Sequence, residues 1–343
     1  MTAVRMRSGG LARLDELLGR EVSLRSLALL RVLLGPVVLL HLQPFLTRAW
    51  QGHIYSDAFY EPYASWYPEL PRGLYVAVLW LGAAAAVAMT LGILSRIATG
   101  TAFAVVAYNL FLSTTHFHNN RAYLVIVLGL LTLASAAPRG PAWPLWLLRF
   151  ECAAIYGASG LSKLLDPDWF GGTVPWQRVV QARDELHWLP GWIVSVVSDR
   201  DVNTVTAKLV IATELFIATG LWFRRTRYAA VWVAVVFHVT IEASAAVQVF
   251  SFLGVAVLVV WAVPSTRDRV VRLPGARAQT WVRRLDWLAR FRVEPGARLE
   301  VVERDGTTRA GRPALAHLLS RLPLTAWFAL PTLLLPAVRR SAR

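Results

Sequence analysis

The sequence predicts an all-α polytopic membrane protein, a bundle of about eight transmembrane helices followed by a small basic α/β-like cytoplasmic tail. Hydrophobic residues make up 56% of the 343 residues, and charged residues only 17%. Soluble domains are typically about 45–50% apolar and about 25% charged. The apolar runs are too long for strands and lack the alternation of a transmembrane β-barrel. This composition excludes a disordered chain and is unlike that of a soluble enzyme.

Three segments are predicted: an N-terminal cytoplasmic segment (1–22), a transmembrane domain (23–264) and a basic tail (265–343). The first apolar run lacks a cleavage site, which predicts a retained helix and not a signal peptide. Some runs are shorter than the roughly 20 residues that span a bilayer, so we expect about seven to nine spans. The apolar runs are Leu27–Leu46, Gly73–Leu94, Ala98–Thr115, Tyr123–Ala137, Pro144–Leu165, Thr204–Phe223, Tyr228–Ala243 and Gln248–Val263.

The net charge of +15 lies mostly at the end of the chain. Residues 265–343 contain 16 Arg and 6 acidic residues, a surplus of 10 positive charges. A basic tail beside a membrane domain suits anionic lipid, so we expect membrane lipid as a partner and no nucleic acid. Cys152 is the only cysteine, which excludes a disulfide framework and a CxxC redox or zinc pair. No metal site is expected.

Arginine also predicts the orientation. The N-terminal segment, alternate connections and the tail carry most of it, whereas residues 47–72 and 166–203 are richer in acids. Because basic residues favour the cytoplasmic side, we expect a multi-pass plasma-membrane protein with both termini cytoplasmic. Lys163, the stretch His116–Arg121 and Glu242 then lie toward the outer face.

Ionisable residues inside the apolar runs are candidates for function because they are costly there. A buried lysine such as Lys163 can lose its proton and act as a general base; the alternative is a lysine paired with Asp166 or Asp168. Glu214 lies deep in its run and needs a partner inside the bundle. Arg31 is expected to extend to the headgroups.

Two histidine-containing patterns are further candidates. His238 and Glu242 are four residues apart, so they share a helix face. They predict a proton relay or a polar-ligand site, or else a mutually satisfied structural pair. His116 and His118 precede Asn120 and Arg121 between two spans. That stretch is either part of a site or a polar interfacial loop, and two histidines alone do not indicate a metal.

Two stretches resemble a known family. Residues 118–124 (HNNRAYL) resemble the Asn-Asn-His-x-Tyr-Leu stretch of the vitamin K-dependent γ-carboxylases. Residues 156–169 (YGASGLSKLLDPDW) resemble their Ala-Gly-x-x-Lys-Leu and Asp-Trp motif. Over residues 20–264 the chain is similar to the wider horizontally transferred transmembrane (HTTM) domain family.

The resemblance implies a carboxylase-like, carbon–carbon lyase type of enzyme, in which Lys163 deprotonates a reduced, vitamin K-like quinone cofactor. Arg121 stands where the family has a histidine, and an arginine stays charged but still stabilises an anion. The large lumenal domain of the animal enzymes has no counterpart in these residues. The candidate catalytic residues are Lys163, Arg121 and Asn120, and the candidate binding residues are His116, His118, Asp168, Trp169, His238 and Glu242.

Two other functions remain open. One is a non-catalytic membrane module that binds lipid or a partner membrane or secreted protein. The other, which the sequence favours least, is a transporter, since no clear internal repeat is present. The tail resembles the second half of the DCC family of thioredoxin-like proteins over residues 299–323. It lacks their cysteines, so we expect a degenerate domain without thiol chemistry.

Overall fold

The structure is a computed structural model that describes residues 9–52, 61–186, 189–245, 249–261, 267–287, 289–322 and 324–326. Parts of the predicted N-terminal segment and of the tail lie outside these residues. The helices in this part of the chain are α1 (Gly9–Gly19), α2 (Arg25–Trp50), α3 (Arg72–Leu91), α4 (Ser95–Leu112), α5 (Asn119–Leu133), α6 (Trp143–Leu165), α7 (Pro167–Phe170), α8 (Thr173–Gln181), α9 (Gly191–Val197), α10 (Arg200–Gly220), α11 (Arg227–Ala245), α12 (Val249–Val257), α13 (Ala276–Leu285) and α14 (Gly311–Leu319). The strands are β1 (Glu21–Ser23), β2 (Arg139–Pro141), β3 (Arg269–Leu273), β4 (Phe291–Pro295), β5 (Glu300–Val302) and β6 (Thr308–Ala310).

The chain divides into two compact units. The helical unit comprises Leu30–Ala134 and Pro144–Trp261, and the mixed unit comprises Met1–Leu29, Ser135–Trp143 and Ala262–Arg343. In the helical unit α3 packs against α4, α4 against α5, α10 against α8 and α11, and α11 against α12. Leucine, valine and alanine side chains fill most of its interior. This unit contains every candidate site residue that the sequence predicts.

Each predicted apolar run contains a helix, namely α2–α6 and α10–α12. Among the described residues three helices are long and apolar enough to cross a membrane: Arg25–Trp50, Arg72–Leu91 and Arg200–Gly220. Asn119–Leu133 and Val249–Trp261 are apolar but shorter. A bilayer needs about 20 residues of helix, and α6 carries charges at both of its ends. The structure therefore supports three candidate spans, and eight stays a prediction.

Two side-chain caps fix where the helices around Lys163 begin. Asp166 follows α6, and its carboxylate accepts hydrogen bonds from the backbone N–H of Asp168 (2.9 Å) and Trp169 (3.3 Å). Asp199 caps α10 in the same way, accepting from Asp201 (2.9 Å) and Val202 (3.0 Å). Such caps satisfy backbone donors that a helix start leaves without partners. They set the start of α7, which carries Trp169, and of α10, which carries Glu214.

Arg31 does not extend to the membrane surface, so the expectation for it is wrong. It is 1% exposed inside the helical unit. Its Nη2 atom donates hydrogen bonds to the carbonyl oxygens of Leu131 (2.7 Å) and Ala134 (2.9 Å). These carbonyls belong to the C-terminal end of α5, where helix oxygens have no partner within the helix and the dipole attracts a cation.

The C-terminal region, residues 267–326, forms a four-stranded sheet in the order β4-β3-β5-β6. Strands β3 and β4 are parallel, and the β3–β5 and β5–β6 pairs are antiparallel. The predicted strand and turn at Leu299–Gly306 and the helix that follows are confirmed as β5, its turn and α14. The similarity to DCC proteins stays a prediction. The buried core consists of Val271, Leu273, Val282, Phe291, Val301, Ala314, Leu318 and Leu322.

Candidate functional site

Lys163 forms a buried ion pair with a carboxylate on another helix. Its Nζ atom lies 2.9 Å from Glu214 Oε1 and 2.8 Å from Oε2. The Lys163 side chain is 15% exposed and that of Glu214 5%. Lys163 is in the last turn of α6 and Glu214 is in α10. The partner that Glu214 needs is therefore Lys163, and the partner of Lys163 is neither Asp166 nor Asp168.

Ser159 and Gly160 allow this pair to form. Ser159 lies one turn before Lys163; its Oγ donates a hydrogen bond to Glu214 Oε1 (3.0 Å) and accepts one from the Lys163 ammonium. A Cβ at Gly160 would lie 3.2 Å from Glu214 Cβ and 3.1 Å from Leu215. The missing side chain thus lets α10 approach α6 closely. Both oxygens of Glu214 have donors, as a buried carboxylate requires.

Trp169 covers the ammonium group. The centre of its ring lies 5.1 Å from Lys163 Nζ, and the guanidinium of Arg178 contacts the same ring at 5.4 Å. A cation over an indole face is stabilised by the ring quadrupole. Asp168, one residue earlier, is exposed and makes no side-chain contact with Lys163 within the described residues. The structure therefore brings Lys163 and Trp169 together and leaves Asp168 at the rim.

His238 forms a second buried polar site between α6 and α11. Its Nε2 atom lies 2.6 Å from the Tyr156 hydroxyl, and the ring is 1% exposed. The ring centre of Phe250 is 5.2 Å away. A Cβ at Gly254 would lie 2.2 Å from His238 Nε2, so only glycine leaves space for this ring. A cavity of about 10 Å³ beside it, lined by Tyr123, Ile155, Tyr156, His238, Phe250 and Gly254, is no larger than one water.

Glu242 lies one turn beyond His238 on α11, but the two side chains are not paired in the described structure. His238 Nδ1 and Glu242 Oε2 are both buried without a hydrogen-bond partner. The interpretation as a mutually satisfied structural pair is therefore wrong. Unsatisfied buried polar atoms are rare and costly, and the proton relay or polar-ligand site stays a prediction for these two residues.

Arg121 and His116 belong to a third cluster, at the connection between α4 and α5. Arg121 Nη1 donates a hydrogen bond to the His116 carbonyl oxygen (3.0 Å), and its guanidinium lies 5.2 Å from the centre of the Phe45 ring. His116 Nδ1 donates to the Asn109 carbonyl oxygen (3.1 Å). Burial lowers the pKa of His116, against the effect of that hydrogen bond. The charges of Arg121 and Arg48 lower the pKa further, so the site disfavours a protonated His116 ring.

The sequence did not single out His41, which lies beside this cluster. Its ring is 4% exposed and its centre lies 5.5 Å from that of Phe45, which also contacts His116 at 5.5 Å. His41 Nε2 is buried without a hydrogen-bond partner. A single histidine in an apolar run is ordinarily a core residue. The one feature of the sequence that could have pointed to His41 is its position one helical turn before Phe45.

His118 and Asn120 have local roles. The His118 side chain caps α5 by accepting a long hydrogen bond from the backbone N–H of Asn120 (3.5 Å). Neither side chain is linked to Lys163 by any hydrogen bond or ion pair of the described residues, and neither is Arg121. The described residues contain no group of three or more His, Cys, Asp or Glu side chains that could hold a metal ion. The predicted catalytic residues thus lie in separate clusters.

The family model of the HTTM domain matches residues 20–265 of this chain. The chain belongs to the HTTM domain family. The similarity to the HTTM family predicted over residues 20–264 is confirmed, and membership implies a membrane protein of the carboxylase-like family. All three clusters lie within the matched residues, and the four-stranded C-terminal sheet lies wholly beyond them. No curated protein and no solved structure gives a significant match to this HTTM chain.

Proposed function

We propose that this HTTM protein is a carboxylase-like membrane enzyme in which the Lys163–Glu214 pair removes a proton from a lipid-soluble substrate. The observation that carries the proposal is the buried ion pair itself, at the position of the family lysine and beneath Trp169. Ionisable groups are costly in membrane proteins, and their positions commonly mark function. Of the candidate residues, Lys163 is the one whose amine is held against a proton acceptor.

Glu214 accepts the proton that Lys163 must lose before its amine can act as a base. In the ion pair Lys163 carries the proton and is not a base. A shift of that proton from Nζ to the Glu214 carboxylate leaves a neutral amine and a neutral acid, with no change in net charge. A low dielectric favours the neutral pair. The amine then takes a hydroxyl proton from the substrate, and the resulting oxyanion faces a renewed ammonium.

A reduced quinone of the vitamin K type is the cofactor that the family implies, and the residues around Lys163 fit one. The indole of Trp169 offers an aromatic surface beside Lys163, whose side chain is 15% exposed, and the neutral amine left by the proton shift can accept the proton of a phenolic hydroxyl. The cavity beside His238 does not fit, because about 10 Å³ holds no ring. When bound, the quinone would supply the acidic hydroxyl and the redox chemistry.

We also propose an orientation of the protein in the membrane. The positive-inside pattern supports a plasma-membrane protein with both termini cytoplasmic and Lys163 near the outer face. A secreted or membrane-bound partner protein would then meet the site from outside.

A non-catalytic membrane module is the second candidate, and one observation favours it. Lys163, Ser159 and Glu214 satisfy one another's hydrogen bonds completely, as a purely structural pair does. Such a module binds lipid or a partner protein with no proton transfer at Lys163. A transporter has weaker support, which rests on the buried polar atoms of His238 and Glu242.

The experiment uses the full chain in lipid nanodiscs with vitamin K hydroquinone as the probe, and it follows probe binding and oxidation in oxygenated buffer. We expect wild type to bind and oxidise the probe and Lys163→Met to lose oxidation. Lys208→Met is the matched control, because Lys208 is the other lysine, is exposed and contacts the Phe170 ring. Equal oxidation by wild type and Lys163→Met, or no binding by wild type, would overturn the proposal.

A further inference from the structure

The helix α13 in the C-terminal region has two chemically different faces. Val282 is buried in the sheet core, and Ala278 and Leu285 pack beside it. The opposite face carries Arg277, Thr280, Trp281 and Arg284, all exposed. Residues at i−4 and i+3 from Trp281 are its neighbours on a helix, so an arginine stands on each side of the indole.

The arginines of α13 lack the acidic partners that other arginines in this region have. Asp268 pairs with Arg269 and Arg304, and Glu303 with Arg269 and Arg321. Glu294 and Glu300 pair with Arg272, and Glu300 also with Arg298. Within the described residues no ion pair involves Arg277, Arg283 or Arg284. Four of the six acidic residues of the region thus pair with other arginines, and Asp286, just after α13, accepts from the backbone N–H groups of Arg290 and Phe291. The positive charge of α13 is therefore not compensated by any ion pair of the described residues.

Two exposed tryptophans belong to α13 and the residues that directly follow it. Trp281 is 61% exposed, and Trp287, just after α13, is 47% exposed. Exposed indoles are costly in water and favourable at the interface between lipid headgroups and acyl chains. Arginine near such an interface is attracted to anionic headgroups, so the two residue types together favour contact with a bilayer. In sequence the region directly follows the match to the HTTM domain, which ends at residue 265, so it is tethered to a membrane domain.

We propose that the α13 face, defined by Arg277, Thr280, Trp281, Arg283, Arg284 and Trp287, docks onto anionic lipid. The arginines bind the phosphate groups of the headgroups, and the indoles insert among the acyl-chain ends. Charge complementarity selects the occupant: the face carries only positive charge and aromatic area. A basic residue near an anionic bilayer contributes about 1 kcal/mol, so removing one arginine should weaken docking about fivefold.

The proposal can be tested in the full chain, because a cysteine introduced on the surface can be labelled without labelling the native one. Cys152 is buried. Thr280→Cys places an environment-sensitive fluorophore on the α13 face, and Thr307→Cys places it in the exposed turn between β5 and β6 as the matched control. Both proteins are reconstituted in nanodiscs of phosphatidylcholine, with and without phosphatidylglycerol. Nitroxide-labelled lipid then quenches only a fluorophore that touches the bilayer.

We expect strong quenching at Thr280→Cys in discs with phosphatidylglycerol, weaker quenching in phosphatidylcholine alone or at high salt, and little at Thr307→Cys. Adding Arg277→Ser and Arg284→Ser should lower the signal at Thr280→Cys. Equal quenching at both positions, or no effect of anionic lipid, overturns the proposal. So does a label at Thr280→Cys that is shielded in native membranes but not in discs, which indicates a protein partner.

Discussion

Removing one charge of the Lys163–Glu214 pair should destabilise the protein. Lys163→Met leaves the Glu214 carboxylate buried without its cation, which costs about 3–5 kcal/mol for a pair this deep. Lys208→Met, on the exposed face of α10, should change the free energy of unfolding by less than about 0.5 kcal/mol. Unfolding in mixed detergent and dodecyl sulfate micelles measures both.

The double variant Lys163→Met with Glu214→Leu separates stability from chemistry. Replacing a buried ion pair by apolar side chains of similar volume is often neutral or stabilising. We expect its unfolding free energy to return to near that of wild type while hydroquinone oxidation stays absent. Recovered oxidation in this variant would contradict the role of Lys163 as the base.

The sequence predicted the environment of a residue well where one energetic cost, such as burying an unpaired charge, dominates. Glu214 was expected to need an internal partner because a deep carboxylate cannot stand alone, and it has one. The identity of that partner was not predictable, because the approach of α6 and α10 depends on packing at Gly160. Arg31 shows the same limit, since carbonyls at the end of α5 hold it in the interior. Spacing within a helix is visible in a sequence, and contacts between helices are not.

At the scale of elements, the close contact between α11 and α12 depends on Gly254. A Cβ there would meet the His238 ring at 2.2 Å, so Gly254→Ala should displace the ring from Tyr156 and cost about 1–3 kcal/mol. Gly157→Ala is the matched control, because its Cβ would meet only Ala218 at an ordinary 3.6 Å. It should be neutral or stabilising. A change in unfolding free energy of the same size for both glycines would argue against this close contact.

The positions of the long helices were predictable because apolar runs of this length are too long for strands and favour helices. Each of the eight runs contains a helix among its described residues, with ends shifted by a few residues where caps such as Asp199 decide the start. The short helices α7–α9 were not predicted, since amphipathic segments of this length carry little pattern. The sheet of the C-terminal region was predicted only at β5 and its turn. The β3–β4 pairing is parallel and long-range, so nothing local in the sequence indicates it.

The C-terminal region should lose stability as the pH falls. Burial lowers the pKa of His317, Arg321 and Arg309 lower it further, and Glu303 opposes them. The neutral ring accepts a hydrogen bond at Nδ1 from Arg321 (2.7 Å), whereas a protonated Nδ1 faces Glu303 Oε1 at 3.4 Å. A lowered pKa contributes stability that is complete above the unfolded value of 6.5 and is lost as the pH falls toward the folded value.

Hydrogen exchange of the β3 and β5 amides between pH 7.5 and pH 5.5, corrected for intrinsic rates, measures this loss. His317→Gln should flatten the dependence, because glutamine does not titrate. Asp286 acts in the opposite direction, since burial raises its pKa and its proton is favoured in the fold. A slope that persists in His317→Gln would assign the effect to another group.

At the scale of the whole molecule, the proposed orientation has a direct test. Glu69 and Arg312 are both exposed, and Cys152 is buried. Glu69→Cys should react with a membrane-impermeant maleimide in intact cells, and Arg312→Cys only after permeabilisation, because the positive-inside pattern places the first outside and the second in the cytoplasm. The reverse pattern of labelling would show the opposite orientation in the membrane, with Lys163 near the cytoplasmic face.

Arg31 also has a consequence for how the chain is made. The carbonyl that it contacts on Leu131 lies 100 residues later in the chain, and the one on Ala134 lies 103 later. Ribosomes add about 5–20 residues per second, so about 5–20 s pass between synthesis of Arg31 and of its acceptors. During that interval α2 must enter the bilayer with its charge still hydrated, or wait beside the insertion machinery. We therefore expect α2 to reach its final packing only after α5 has been synthesised, which makes the association of these two helices a late step in the assembly of the protein.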